Sequence, residues 1–237
     1  MDQQRLYSYL RQAIDEYGMI DEGDRVAIGV SGGKDSLTLL HGLCGLQRFY
    51  PKRFDLVAVT VDLGYENFEY QRITELCKLL GVEHITVHTK INEMLSRGQC
   101  SLCARLRKGA FNSQILELGC NKFAYAHNMD DVVETLMLSL IYEGRISTFW
   151  PVTPYEDTGL TLIRPMIYVP KADVNGFCKK YNYEAIKNPC PFERETERGY
   201  VRELLKDIER HAPGTRKRMM TAVRNGNLDG WSLNNIE

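Results

Sequence analysis

No stretch of this 237-residue chain is both long and apolar enough to cross a membrane. No charged-then-apolar leader opens it either, since Met1 to Tyr17 is polar with helical spacing. From these two features we expect a cytoplasmic protein with no membrane partner. Net charge is nearly missing at −1. Any attraction to an acidic polymer must therefore rest on local patches. Paired cysteines are also missing: the seven are odd in number and unevenly spaced, which argues against a disulfide framework. A second C-x-x-C and a paired-His motif are absent, so no four-ligand zinc site is written in the sequence. Internal repeats and low-complexity segments are absent as well. What remains is the composition of an ordinary globular protein, 43% hydrophobic and 26% charged, with length for one large domain.

Along the chain, apolar segments of two periodicities alternate. Residues 3–17 have helical spacing and end at Gly18, and 25–30 read as a first strand. Helix 34–48, strand 55–62, helix 68–80, strand 84–88 and helix 101–118 follow, then strand 122–127 and helix 130–143. A fifth strand is expected over 160–166, Pro170 opens another helix, and the tail 195–225 is helical and broken at Pro213-Gly214. Strands alternating with helices predict an α/β fold: an open, mostly parallel sheet with helices on both faces, followed by a helical C-terminal tail. We expect an N-terminal helix over 1–20, a main domain over 21–185, and a loop and basic tail over 186–237 packed on that domain. In such sheets ligands bind at the carboxyl ends of the strands. The turns after strands one, two and four then share a crevice. They carry Ser31 to Ser36, Asp62-Leu63-Gly64-Tyr65 and His127-Asn128-Met129-Asp130-Asp131.

The most specific segment is Ser31-Gly32-Gly33-Lys34-Asp35-Ser36. It follows a β-branched run and precedes helical spacing. Strand, glycine turn and helix leave backbone N–H groups free at the positive end of a helix dipole, an anion site suited to phosphate. Gly32 and Gly33 admit close backbone approach, while Ser31, Lys34 and Ser36 add donors. Three other motifs overlap these residues. Walker A fails, because Ile28 stands where its first glycine belongs and Asp35 follows Lys34. Gly29 to Gly33 fits a hydrolase nucleophile elbow, but a first strand leaves no upstream loop for an oxyanion hole. Ser31 to Lys34 fits S-x-x-K without the S-D-N and K-T-G that accompany it.

Cys100-Ser101-Leu102-Cys103 begins a helix, so its two sulfurs share a face. The helix N-terminus, Arg105 and Arg107 favour thiolate. A lone C-x-x-C is open between a redox pair, half a zinc site and part of an iron–sulfur site. Cys190 stands between Pro189 and Pro191, which present it from a rigid loop. Three thiolates suffice for a four-iron cluster with one iron left open. Cys44, Cys77, Cys120 and Cys178 occupy core-like positions. Two basic patches stand out, Arg105-Leu106-Arg107-Lys108 and the tail. Between Arg194 and Arg224 the tail has nine basic residues against five acidic ones. It is either a phosphate-binding face or a solvated helix.

Taken together, SGGKDS at 31–36, CSLCARLRKGAF at 100–111, AHNMDD at 126–131, and NPCP at 188–191 before a basic helix with APG resemble a known family. They are similar to the TtcA group of tRNA 2-thiocytidine synthetases, within the TtcA/TtuA class of PP-loop tRNA thiolation enzymes. One departure is local. Where the family pattern carries a second C-x-x-C, Pro191, Phe192 and Glu193 follow Cys190 here. The resemblance implies a PP-loop fold, ATP and Mg²⁺, a [4Fe-4S] cluster on Cys100, Cys103 and Cys190, and tRNA as substrate. It also implies a sulfur donor, either sulfide or a cysteine desulfurase system, and is compatible with a homodimer. By the same resemblance, Ser31, Gly32, Gly33, Lys34, Asp35 and Ser36 cradle the phosphates, and Asp62 and His127 line the nucleotide site. Lys34 offsets charge on the leaving group, Asp35 with Asp130 or Asp131 holds Mg²⁺ or positions the base, and Arg107 holds phosphate or tRNA backbone. The competing class is an ATP-dependent amide-forming ligase without a cluster, or a nucleotide-binding module without chemistry. Either would leave the three cysteines without a role.

Overall fold

The computed structural model describes residues 1–66, 68–95, 99–186, 190 and 197–231. Its centre is a six-stranded sheet in the order β3-β2-β1-β4-β6-β5. The strands are β1 (Asp24–Gly29), β2 (Phe54–Asp62), β3 (Glu83–His88), β4 (Lys122–Ala124), β5 (Val152–Tyr155) and β6 (Leu160–Ile163). All neighbours are parallel except β5, which runs antiparallel to β6 at the edge. The helices are α1 (Gln3–Glu16), α2 (Lys34–Gln47), α3 (Tyr70–Leu80), α4 (Cys100–Glu117), α5 (Met129–Leu138), α6 (Lys171–Lys180), α7 (Glu197–His211) and α8 (Thr215–Asn225).

Strand periodicity divides the core in two. On β1, Val26 and Ile28 face the larger core, where α1, α2, α3, α5 and α6 bury their apolar stripes. Ala27 between them faces the smaller core with Val57, Val59 and Phe123, covered by Phe111 and Ile115 of α4. One helix therefore roofs one face of the sheet, and the cleft opens beneath its N-terminal half. The N-terminal helix shares the larger core: Leu6, Leu10, Ala13 and Ile14 are buried on it. It lies so close to α2 that a Cβ on Gly42 would stand 2.3 Å from Leu10 Cδ1.

The predicted alternation of strands and helices is present, with three local differences. The antiparallel edge strand β5 was not expected. Its four residues, with Pro154 among them, are too short and too broken to read as a strand. The fourth strand ends at Ala124 rather than His127, although Tyr125 N still donates to Ile163 O at 3.1 Å. Helix 130–143 is α-helical only to Leu138 and closes with one π-turn, Ser139–Glu143, capped by Gly144 at φ 63°. The tail breaks where Pro213-Gly214 predicted. There Glu209 accepts the backbone N–H groups of Gly214 and Arg216 at 2.5 and 3.0 Å and so caps α8 from the preceding helix.

Candidate active site

The turn from β1 into α2 begins at the carboxyl end of a central strand. Val30 N donates to Val59 O at 2.9 Å, which holds the exit of β1 against β2. Gly32 then takes φ +78°, a conformation that strains any side chain, and a Cβ there would lie 2.9 Å from Ile186. Ile186 N in turn donates to Gly32 O at 2.9 Å. The segment leading towards Cys190 is thus anchored on the glycine turn itself. Ser36 Oγ donates to Gly33 O at 2.9 Å and lies 3.2 Å from Ser31 Oγ, closing the loop on itself. Lys34 and Asp35 open α2, Lys34 with an exposed side chain.

A cleft of about 630 Å³ lies over this turn. Ser31, Gly33, Asp35 and Ser36 line it from the loop, and Asp62 and Tyr65 from the end of β2. Arg107 and Lys108 of α4 and His127 after β4 complete it. The three strand-end turns expected to share a crevice do so. Asp62 is fixed by its own turn: Oδ1 accepts from Gly64 N at 2.9 Å, and Oδ2 lies 3.1 Å from His88 Nδ1. Tyr125 forms an apolar wall with Phe111 and Phe123, and burial pushes its phenol up to about 12. Lys108 Nζ lies 4.0 Å over the Tyr155 ring, a cation–π contact at the rim.

The carboxylates divide into two kinds. Asp35 lines the cleft: Oδ1 accepts from Asn128 Nδ2 at 2.9 Å and Oδ2 pairs with Lys171 Nζ. Asp130 and Asp131 belong to the start of α5. Asn128 is its N-cap, accepting from Asp130 N at 2.9 Å, while Asp131 Oδ2 accepts from Asn128 N at 3.0 Å in a reciprocal capping box. Asp130 also accepts from Lys171 N at 2.7 Å and pairs with Arg216 at 2.9 Å. Burial raises the Asp131 pKa against the Asn128 hydrogen bond that lowers it. Lys171, the first residue of α6, is a site residue that the sequence reading missed. Pro170 marked the helix start but said nothing of its partner, 136 residues away.

Arg164 was also missed. It leaves β6 almost completely buried, 7% exposed, and its Nε donates to His127 Nδ1 at 3.2 Å. Its other end donates to Thr153 Oγ1 at 2.9 Å and to Trp150 O. The guanidinium carbon stands 4.9 Å over the Phe149 ring, which itself lies 4.8 Å from the His127 ring. Burial lowers Arg164 to about 10, and burial with the Arg164 charge lowers His127 to about 4.

Cys100 and Cys103 open α4, whose Ala104, Arg107 and Lys108 line the cleft, and Tyr65, another lining residue, donates to Cys190 Sγ at 3.8 Å. Burial raises the Cys103 pKa, Arg107 lowers it, and charge on Cys190 and Cys100 raises it further, so the three share one local field. Among the described residues no three His, Cys, Asp or Glu side chains are drawn together around a single ion. By donor chemistry alone, three thiols suit a multi-iron group, in which each thiolate binds a different iron. The prolines on either side of Cys190, Pro189 and Pro191, and Arg194 of the basic patch lie outside the described residues. The other four cysteines are buried in the core, as expected.

The basic tail is less open than its composition suggests. Arg198 and Arg202 pair with Glu134 of α5 at 3.2 and 2.9 Å, and that carboxylate is only 6% exposed. Arg216 pairs with Asp130, and Arg224 with Glu16 at 2.7 Å. These four arginines neutralise carboxylates of the domain they pack on. Arg105, Lys217 and Arg218 remain exposed.

A glycine turn between the first strand and helix of a largely parallel sheet, with a nucleotide-sized cleft over it, defines a PP-loop protein. The family model for the PP-loop domain matches residues 3–208. Among curated proteins, the tRNA-cytidine(32) 2-sulfurtransferase of Geobacter metallireducens is 36% identical over 222 residues, covering 90% of this chain and 86% of its own. That of Syntrophotalea carbinolica is 38% identical over the same shares. The solved U34-tRNA thiolase NcsA from Methanococcus maripaludis, with its [4Fe-4S] cluster, has a TM-score of 0.77 at 24% identity. It covers 99% of this chain and 79% of its own, a likeness of fold. The chain belongs to the PP-loop family and, within it, to the tRNA 2-thiocytidine synthetases.

Proposed function

We propose that this chain is an ATP-dependent tRNA sulfurtransferase that replaces the C2 carbonyl oxygen of a tRNA base, cytidine, with sulfur. The observation that carries the reading is that the cleft over a phosphate-cradling turn is lined by the α4 residues that follow Cys100 and Cys103 and by Tyr65, which donates to Cys190. The substrate base comes from the relatives, which are named for cytidine. A base carbonyl oxygen is a poor leaving group, so it must first be activated. The C2 oxygen attacks the α-phosphorus of ATP, the α–β bond breaks and pyrophosphate departs. Sulfide, supplied as such or released by a thiol reductant from the persulfide of a cysteine desulfurase system, then attacks C2, and AMP leaves with the former carbonyl oxygen.

In this scheme the Ser31–Ser36 turn holds the departing pyrophosphate on its backbone N–H groups, and Lys34 offsets the charge that develops there. Asp35 is the carboxylate on the cleft that would share Mg²⁺ with the phosphates. Asp130 and Asp131 act at one remove, because they fix Asn128 and Lys171, the two partners of Asp35. Asp62 faces the ribose side, and Arg107 holds phosphate or tRNA backbone near the rim. A [4Fe-4S] group on Cys100, Cys103 and Cys190 would leave one iron without a protein ligand and so supply a binding position for sulfide. A reaction on tRNA and ATP supports a cytoplasmic location.

Two measurements test the reading. Anaerobically purified protein should show the broad visible absorption of an iron–sulfur chromophore, lost when Cys100, Cys103 or Cys190 is replaced by Ser. Nucleosides of bulk tRNA from a deletion strain should lack a thiolated cytidine by mass spectrometry. An unchanged thionucleoside profile would overturn the assignment.

A further inference from the structure

His127 lies in the AHNMDD segment, but its partner Arg164 belongs to no motif, and the pair is built with more care than a wall residue needs. Arg164 is held at both ends. One end of the guanidinium is fixed on Thr153 Oγ1 and Trp150 O, the plane is covered by Phe149, and Nε is left pointing at His127 Nδ1. An arginine has donors only and does not lose its proton in a folded protein. The nitrogen facing it must therefore be an acceptor. A proton on Nδ1 would set two N–H groups against each other across 3.2 Å. The ring's proton is thereby confined to Nε2. Among the described residues Nε2 has no protein partner, and the ring lines the cleft beside Ser31 and Asp35.

We infer that Arg164 is a positioning residue that locks His127 as a neutral Nε2–H donor, and that His127 gives this hydrogen bond to an acceptor atom of the bound nucleotide substrate. The chemistry it recognises is an acceptor-only atom. Two such atoms meet in this reaction: a phosphoryl oxygen of ATP and the O2 or N3 of the cytosine base. A donor that cannot switch to acceptor would favour cytosine N3 over the N3–H of uracil. Neighbouring charges agree with a neutral ring. Arg164 from β6 and Arg198 from α7 disfavour its protonation, and Asp35 from α2 opposes them more weakly than burial. The identity of the ligand rests on the thiolation reading; the tautomer does not.

Long-range ¹⁵N–¹H correlation on histidine-labelled protein reads the tautomer directly. The chain has five histidines, so His127→Gln assigns the signal by its loss. We expect His127 to carry its proton on Nε2 and to stay neutral at pH 6. An Nδ1–H tautomer, or a protonated ring at that pH, overturns the inference without touching thiolation. Adding a non-hydrolysable ATP analogue, then a cytidine-containing anticodon stem-loop RNA, locates the acceptor. A shift of Nε2–H with the analogue assigns the phosphoryl oxygen, and a shift only with the RNA assigns the base. No shift with either overturns the proposed contact. In turnover, His127→Leu removes the donor while His127→Gln retains an N–H, so Leu should lose about tenfold to a hundredfold in kcat/KM and Gln far less. Equal losses in the two variants would also overturn it. Arg164→Lys keeps the charge but not the planar fork, and the expected result is a mixed tautomer in a folded protein. Should that variant fail to fold, the Leu and Gln pair still decides.

Discussion

At the scale of single residues, the cleft separates groups that do chemistry from groups that hold them. Lys34 is exposed at the helix start and supports no core, so Lys34→Ala should abolish ATP-dependent pyrophosphate release while the unfolding midpoint stays within about 2 °C. Asp35→Ala should do the same, measured by the same pair of assays. Lys171→Ala is the sharper test, because Lys171 lies outside every motif. It should lower turnover about tenfold by freeing Asp35, with pyrophosphate release as the readout. His127 makes a prediction in pH. Its imidazole titrates near 6.5 in an unfolded chain and at about 4 in the folded one. Between those values the unfolded chain binds the extra proton, so stability is lost as pH falls from about 6.5 towards 4, by a few kcal/mol at most. Urea unfolding at several pH values should show this slope flattened in His127→Gln. The loop residues 31–36 and Asp62 were legible because each sits in or beside a motif on consecutive residues. Lys171 and Arg164 were not, because their roles exist only once β4, β6 and α6 lie side by side.

At the scale of elements, the N-terminus of α5 is where fold and site are one object. Asn128 is 1% exposed, caps the helix through Oδ1 and holds Asp35 through Nδ2. Read as sequence, Asn128-Met129-Asp130-Asp131 admitted both a cap and a catalytic acid pair, and periodicity could not choose. The structure gives Asp130 and Asp131 partners within the fold and leaves Asp35 on the cleft. Asn128→Ala should therefore cost more than an ordinary cap. About 1 kcal/mol is expected from the lost cap and a comparable amount from the unpaired Asp35 oxygen, read as a shift in the denaturation midpoint. Asn128→Asp keeps the cap but sets a buried like charge against Asp35, so it should cost at least as much stability as Ala and lose activity as well. Strands with β-branched runs between helices were legible for the same reason that β5 was not. A central parallel strand is apolar on both faces, whereas a four-residue edge strand carries almost no period to read.

At the scale of the whole molecule, near-neutral charge must be reconciled with a polyanionic substrate. Composition put the positive charge in the tail, but internal pairing redistributes it. Arg198 and Arg202 are committed to Glu134, and Arg216 to Asp130. Reversing Arg202 to Glu would set two carboxylates against each other beside a buried one, at a cost of about 3 kcal/mol, so loss of tRNA binding there would report unfolding. The exposed basic residues between α4 and α8 include Arg105, Arg107 and Lys108 beside the C-x-x-C and Lys217 with Arg218 on α8. Each phosphate contact releases counterions, so the logarithm of affinity should fall linearly with the logarithm of salt. Arg105→Glu and the Lys217→Glu, Arg218→Glu pair should weaken tRNA binding and reduce that slope by about one for each contact removed, with ATP binding and the unfolding midpoint unchanged. If tRNA affinity proves insensitive to salt, or if both variants bind as tightly as the parent, the tRNA path does not run from α4 to α8. Asp62 and Tyr65 also line the cleft, so the substrate would then enter past them instead.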